Sequence, residues 1–360
     1  MREKMKRIGI LTSGGDCAGL NPAIYAVAKA IYRKIDDVEI IGILDGYTGL
    51  IDLNTKVLKP KDFEGLLTKG GTFLRSIRQS FKTIDVKDEN GISKADKIVK
   101  NYNKLDLDAL VVLGGNGTHK IANLLSERGL NIVGLPKTID NDIFGTEETF
   151  GYDTAVQVGA DYIDRIQTTA ASHSRVFVVE IMGNKVGWLA LSVGVSAGAD
   201  AIILPEIPYS AEKLNDALKK TLKEKNYAIV VVSEGAFAKE ERKMKNKERL
   251  SERKLAGFNS IADKVGDDIA KGLGIEIRTA IPGHVLRGGE PSARDRNYTM
   301  QLGAVAAGLI ADEVYGVTVA KVNGRISFNQ LSEIAGKAKP VPEDDSLLLA
   351  ARSIGISFAD

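Results

Sequence analysis

The chain has 360 residues, long enough for two domains of ordinary size. A formal net charge of +2, with 27% charged and 44% hydrophobic residues, describes a globular protein and provides no single-sign field to attract nucleic acid or a membrane surface. A single cysteine, Cys17, excludes an internal disulfide and fits a reducing cytoplasm. The apolar run in the basic start MREKMKRIGILTSGG is shorter than the ~7–15 residues of a signal-peptide core. No apolar stretch nears the ~18 residues of a membrane span, so a soluble cytoplasmic protein is expected.

In chain order, short β-branched runs alternate with longer periodic segments. RIGILT (7–12) reads as a strand, PAIYAVAKAIYRKI (22–35) as a helix and VEIIGIL (38–44) as a strand. ALVVLGG (109–115), THKIANLLSERG (118–129) and NIVGLPKT (131–138) repeat strand, helix, strand. The second half follows with a helix over 154–171, the strand RVFVVEIM (175–182) and a helix from Val186. AIILPE (201–206), a charged amphipathic helix (210–225) and YAIVVVSEG (227–235) come next. Strands apolar along their whole length belong in a sheet covered on both faces, and the alternation makes it parallel. The expected class is α/β, and ligands in such sheets sit beyond the carboxyl ends of the strands. The run KEERKMKNKERLSERK (239–254), with eight basic and four acidic residues, reads as a solvated insertion or a partner-binding face.

The strand-end loops hold the residues with chemical potential. In LTSGGDCAGLN (11–21), Gly14 and Gly15 separate a strand from a helix. Such a turn either cradles an anion against helix N–H groups or merely reverses the chain. GGNGT (114–118) repeats the device with Gly114, Gly115, Asn116, Gly117 and Thr118. Neither loop is a Walker A or a G-x-G-x-x-G motif. PKTIDND (136–142) places Asp140 and Asp142 two residues apart, with Thr138 on the same parity. If the segment stays extended, all three share a side, which suits proton removal from a hydroxyl beside a metal-bound phosphate. Equally, the aspartates could cap the following turn. Arg175 precedes a strand that MGN ends, and the loop 278–296 gathers Arg278, Arg287, Arg294 and Arg296 with His284. That loop reads as a receptor for a phosphorylated small molecule or as a solvated face.

Taken together, TSGGDCAGLN, DGYTGL, GGTFLRSIR, GGNGT, PKTIDNDIFGTEETFGYDTA, SHSRVFVVEIMGNKVG, PEIPY, SEG and IRTAIPGHVLRGGEPSARDR resemble the phosphofructokinase family, in family order. The resemblance implies two similar three-layer αβα domains with mostly parallel sheets and an active site in the cleft between them. The donor domain would be 1–151 plus about 286–337, and the fructose 6-phosphate domain 152–285 plus about 338–360. It implies transfer of the ATP γ-phosphoryl group to the 1-hydroxyl of fructose 6-phosphate in glycolysis, with Mg2+. Asp140 matches the general base, Thr138 and Lys137 contacts near the transferring group, and Asp142 a carboxylate linked to metal and acceptor. Gly14, Gly15, Tyr47, Arg78, Gly114, Gly115, Asn116, Gly117 and Thr118 match the donor site. On the sugar side stand Thr138, Asp140, Asp142, Met182, Gly183, Glu234, His284 and Arg287. Arg175 and Arg278 match arginines that reach a neighbouring subunit's site, so the resemblance implies a homo-oligomer, a tetramer in most members. Nucleic acid and membrane partners are not expected.

Departures from the family pattern carry expectations of their own. Asn116 replaces an aspartate that holds magnesium, so its metal affinity should be weak. Gly117 leaves room for the nucleotide's α-phosphate and favours ATP, whereas Lys137 is the residue of pyrophosphate users, the alternative donor. Asn184 stands where an arginine is common, with Lys137 expected to supply part of that charge. Tyr25, Lys29, Gln167 and Asp200 replace effector-binding residues, so little allosteric response is expected. Two rivals are a NAD or lipid kinase, which would lack PKTIDND and GHVLRGG, and a catalytically weak sugar-phosphate-binding regulator suggested by Asn116.

Overall fold

The computed structural model describes residues 5–360. The chain forms two compact units, residues 1–154 with 287–339, and residues 155–286 with 340–360.

In the first unit, seven strands form one sheet in the order β11-β10-β5-β4-β1-β2-β3. They span β1 Lys6–Ser13, β2 Val38–Ile43, β3 Thr55–Leu58, β4 Ala109–Gly114, β5 Ile132–Pro136, β10 Val317–Val322 and β11 Arg325–Gln330. The inner strands are parallel, and both edges are antiparallel, β3 on β2 and β11 on β10. Alternate side chains of each inner strand serve opposite faces. Leu11, Ile43, Leu110, Val112 and Ile132 pack with Ile98, Ile121 and Leu125 of the helices Lys94–Lys104 and Asn116–Glu127. Ile8, Ile10, Val111 and Leu113 are buried on the opposite parity. There the helices Leu20–Lys34 and Ala293–Ala311 pack on one another and against β2, β5 and β10. The result is a three-layer αβα sandwich.

The second unit repeats this plan with four parallel strands in the order β7-β8-β6-β9: β6 Val176–Ile181, β7 Ala201–Ile203, β8 Ala228–Ser233 and β9 Ile277–Ala280. Val178, Ile203, Val230 and Val232 meet Leu214, Leu218, Val265 and Ile269 of the helices Ala211–Lys225 and Ile261–Leu273. The helix Trp188–Ser196 covers the opposite face, bringing Gly194 against Ile202 and Val231. The α/β class and largely parallel sheets expected from the sequence are present.

The segment 239–254 is mostly exposed, with Glu241 and Arg253 buried. It holds a short 3-10 turn, Lys239–Lys243, and the start of a helix, Asn246–Leu255. Among the described residues no helix is long and apolar enough to cross a membrane.

Candidate active site

The pairing register fixes where the first unit's loops emerge. Ser13 lies beside Gly114, and Gly114 beside Pro136, so β1, β4 and β5 end level and deliver three loops to one edge. Gly14 has φ +91°, a left-handed value that a side chain would strain. A fourth segment is laced on by hydroxyls. Thr12 donates to the Arg75 carbonyl at 2.8 Å, and Ser76 to the Gly14 carbonyl at 2.7 Å. The open pocket between them, about 410 Å³, is lined by Gly14, Gly15, Asp16, Thr72, Ser76 and Arg78. Asp16, Thr72 and Ser76 were not singled out in the sequence; the stretches TSGGDCAGLN and GGTFLRSIR that contain them were their signals.

The second loop is held from behind. The hydroxyl of Thr118 points inward to the Ser13 carbonyl at 3.3 Å, and the Thr118 carbonyl accepts from Tyr47 at 3.1 Å. Tyr47 is fully buried, so it braces the loop and offers no surface to a nucleotide, contrary to the donor contact expected for it. A side chain at Gly114 would strike Thr118. At Gly117, by contrast, nothing lies within 4 Å of an added Cβ. Packing does not require that glycine. Both polar atoms of Asn116 are in use, the amide donating to the Lys337 carbonyl and Oδ1 accepting from the Gly336 amide, each at 2.9 Å. An aspartate there would face a carbonyl it cannot donate to, which gives Asn116 a structural reason and takes it away from metal binding. His119 closes the helix start. Because the Gly115 carbonyl only accepts, Nδ1 carries the proton at 3.0 Å and Nε2 accepts from Thr318 at 2.9 Å. Burial pushes its pKa down to about 4, so the ring is neutral.

The third loop departs from the extended geometry considered for PKTIDND. The chain bends at 139–140 and Asn141 takes φ +52°, so residue parity does not align Thr138, Asp140 and Asp142. Thr138 instead caps the bend, its hydroxyl accepting the Asp140 amide at 3.0 Å. Lys137 is buried, and its ammonium donates to the Gly15 carbonyl at 2.5 Å. Burial lowers its pKa, while Asp140 and Asp142 attract the charge and Arg287 repels it. Burial also raises the Asp142 carboxyl, with Lys137 and Lys339 partly offsetting the effect. Arg287 donates to the Asp16 carbonyl at 3.0 Å, so here the residue expected on the sugar side rests against the donor loop. Lys339 had no sequence signal. It fastens this loop by donating to Asn141 Oδ1 at 3.0 Å and to the carbonyls of Thr146 and Glu147 at 2.9 and 3.0 Å.

In the second unit, Ile181 pairs with Ser233, which brings Met182, Gly183 and Glu234 together beyond β6 and β8. The Glu234 carboxylate accepts the amides of Gly183 at 3.1 Å and Asn184 at 2.5 Å. Asn184 has φ +56°, a conformation asparagine adopts more readily than arginine. Arg175 precedes the opposite end of β6. It lies seven steps along the chain from Met182, ~23 Å of strand. Arg278 on β9 is level with Phe177 and pairs with Glu276 at 2.7 Å. One chain therefore does not bring Arg175 and Arg278 to Glu234. His284 is exposed in the 3-10 turn Gly283–Arg287.

Residues at the expected effector positions are occupied within the chain. Asp200 pairs with Lys225 at 2.8 Å and accepts the Ile229 amide, Gln167 donates to the Ala197 carbonyl, and Lys29 lies over the Tyr25 ring.

A family model described as Phosphofructokinase matches residues 7–310. The chain belongs to the phosphofructokinase family. An ATP-dependent 6-phosphofructokinase from Spirochaeta thermophila is 46% identical over 100% of this chain and 99% of that protein. An ATP-dependent 6-phosphofructokinase 3 from Bacteroides thetaiotaomicron is 40% identical over 98% and 99%. Among solved structures, Pichia pastoris phosphofructokinase in the T-state superposes with a TM-score of 0.78 at 31% identity, over 92% of this chain and 35% of that longer one. A pyrophosphate-dependent phosphofructokinase from Marinobacter aquaeolei gives 0.79 at 20% identity, over 95% and 88%; at that identity the likeness speaks to fold alone. Phosphofructokinase membership leaves the NAD and lipid kinase readings without support.

Proposed function

We propose that the chain is an ATP-dependent 6-phosphofructokinase, moving the γ-phosphoryl group of ATP to the 1-hydroxyl of fructose 6-phosphate as a step of glycolysis. The observation that carries the donor is the open space at Gly117: the loop that would meet the donor's phosphates keeps a glycine that packing does not need. Its full-length relatives are named for the same donor.

Phosphoryl transfer needs positioning and neutralisation of charge spread over phosphate oxygens, with no covalent nucleophile from the protein. The amides of Gly14, Gly15 and Gly115 would face the donor phosphates, with Arg78 beside them. Asp140 would accept the proton of the sugar's 1-hydroxyl as that oxygen bonds to the γ-phosphorus and the bond to ADP breaks. Thr138 sets the Asp140 backbone, and Lys137 holds a buried positive charge against the Gly15 carbonyl of the donor loop. Fructose 6-phosphate would contact Met182, Gly183, Glu234, His284 and Arg287. No cluster of three or more histidine, cysteine or acidic side chains among the described residues could cage a metal. Mg2+ binds through one or two carboxylates together with substrate phosphates; of the carboxylates on these loops, Asp16, Asp140 and Asp142, Asp142 would hold it. When bound, Mg2+ would neutralise charge on the donor phosphates.

Arg175 and Arg278, remote from their own Glu234 along the sheet, suit delivery to a neighbouring subunit's sugar phosphate. Ile281 and Val285, which follow Arg278 in the chain, are 49% and 58% accessible and suit a covered surface in a homo-oligomer.

Lys137→Met should lower kcat by ~10²-fold, the scale of losing one preorganised charge-stabilising group, while the apolar chain keeps the site filled. Steady-state kcat with a melting curve checks this; an unchanged kcat would remove Lys137 from the mechanism. The proposal as a whole is tested by comparing kcat/KM for ATP and for pyrophosphate with fructose 6-phosphate as acceptor.

A further inference from the structure

The charged run 239–254 is the one sequence feature that phosphotransfer leaves unassigned. Its helix, Asn246–Leu255, is not held by apolar packing, since Leu250 and Leu255 are 55% and 85% exposed. The buried side chain of that helix is Arg253, at 8%. Its Nη2 donates to the Ala236 carbonyl at 2.6 Å, and its guanidinium lies 4.0 Å from Glu241. One turn earlier, the Arg249 guanidinium sits 3.5 Å from the centroid of the Phe237 ring, with Nε donating to the Glu241 carbonyl at 3.1 Å. The Glu241 carboxylate in turn accepts the Ala238 amide at 2.8 Å. Two arginines thus grip residues 236–241, the loop that leaves β8.

That loop begins at Glu234. The Ala236 amide donates to the Ser233 carbonyl at 2.9 Å, closing a turn around Glu234, whose carboxylate holds the amides of Gly183 and Asn184. A pocket of about 860 Å³ is lined by Asn184 and Glu234 together with Arg249, Arg253 and Lys254. Arg253 through Nη2, and Arg249 through Nε and the Phe237 ring, are engaged with the chain itself, so these two arginines support the loop.

We propose that Arg253, backed by Arg249, is a positioning residue for the acceptor half of the site, and that the charged segment exists to fix Glu234 and, through it, Gly183 and Asn184. The inference rests on the acceptor role given to Glu234 above. Its mechanical part is independent of that role, because the contacts run from Arg253 through the Ala236 carbonyl and the 233–236 turn to the Glu234 carboxylate and the Gly183 amide whatever the ligand.

The test compares Arg253→Met, Arg253→Lys and Arg249→Ala in the full chain by amide hydrogen exchange and steady-state kinetics. Arg253→Met should lose protection at Gly183 and Asn184 while the amides within β6 stay protected. It should raise the KM for fructose 6-phosphate by ~10-fold, less than the ~10²-fold of a full 1 Å misplacement, and leave the KM for ATP unchanged. Arg253→Lys should restore part of both effects. Arg249→Ala, which keeps the buried arginine, should move the same readouts less and covers the case in which Arg253→Met does not fold. Unchanged exchange at Gly183 and Asn184 in a folded variant overturns the proposal, as does an equal rise in both KM values. If wild type does not phosphorylate fructose 6-phosphate, the functional reading fails while exchange still decides the positioning claim.

Discussion

Gly117→Asp is expected to destroy ATP use without harming the fold. The glycine lies in the first turn of the helix Asn116–Glu127, where an added side chain meets open space and where the first turn holds no acidic residue. An aspartate there is favourable for the helix dipole by ~0.3–1 kcal/mol, and replacing a helical glycine by aspartate adds about 0.2 kcal/mol. The melting temperature should therefore hold or rise. A carboxylate set against the α-phosphate costs several kcal/mol, and ~3 kcal/mol is already a ~10²-fold loss. The expected result is a fall of at least that size in kcat/KM for ATP, with no comparable fall for pyrophosphate, whose short chain does not reach that space. Equal losses with both donors would show that Gly117 serves the loop's geometry and not donor choice.

Asp140→Asn carries the second large effect. The Asp140 amide donates to the Thr138 hydroxyl, and the asparagine substitution leaves that bond in place. What it removes is the ability to take a proton. Losing a general base costs ~10²–10⁴-fold, and kcat should fall in that range with the KM for fructose 6-phosphate little changed. A variant that keeps more than about a tenth of wild-type kcat would move the base elsewhere.

The two substitutions mark how far the sequence could be read. Strands with continuous apolar character, such as 109–114 and 228–233, were legible because burial on both faces leaves no other composition. The sheet edges were not. β10 and β11 are joined by Asn323–Gly324 with φ +50° and +74°, a recognised hairpin signal, yet their mixed polar pattern, exposed on β11, hides them from a search for apolar runs. β9 is four residues long and half exposed, too weak a pattern to stand out.

The site divides in the same way. Glycine loops and PKTIDND were visible as motifs, and the register of β1, β4 and β5 brings them to one edge. Their internal geometry was not visible. The left-handed turn at Asn141 breaks the parity that spacing suggested, and Tyr47 is drawn into the core by the Thr118 carbonyl. Lys339, nearly two hundred residues from the loop it fastens, could be found only in three dimensions. Asn116 shows the converse. In sequence it looked like a damaged metal ligand; in the structure it is an amide whose donor and acceptor are both satisfied, which a carboxylate cannot reproduce.

The central claim is that this phosphofructokinase uses ATP. It is tested most directly by measuring kcat/KM for ATP and for pyrophosphate on the wild-type chain, with fructose 6-phosphate and Mg2+ held at saturation. The open Gly117 position requires the higher value with ATP. A higher value with pyrophosphate would contradict it and assign buried Lys137, rather than Gly117, the choice of donor.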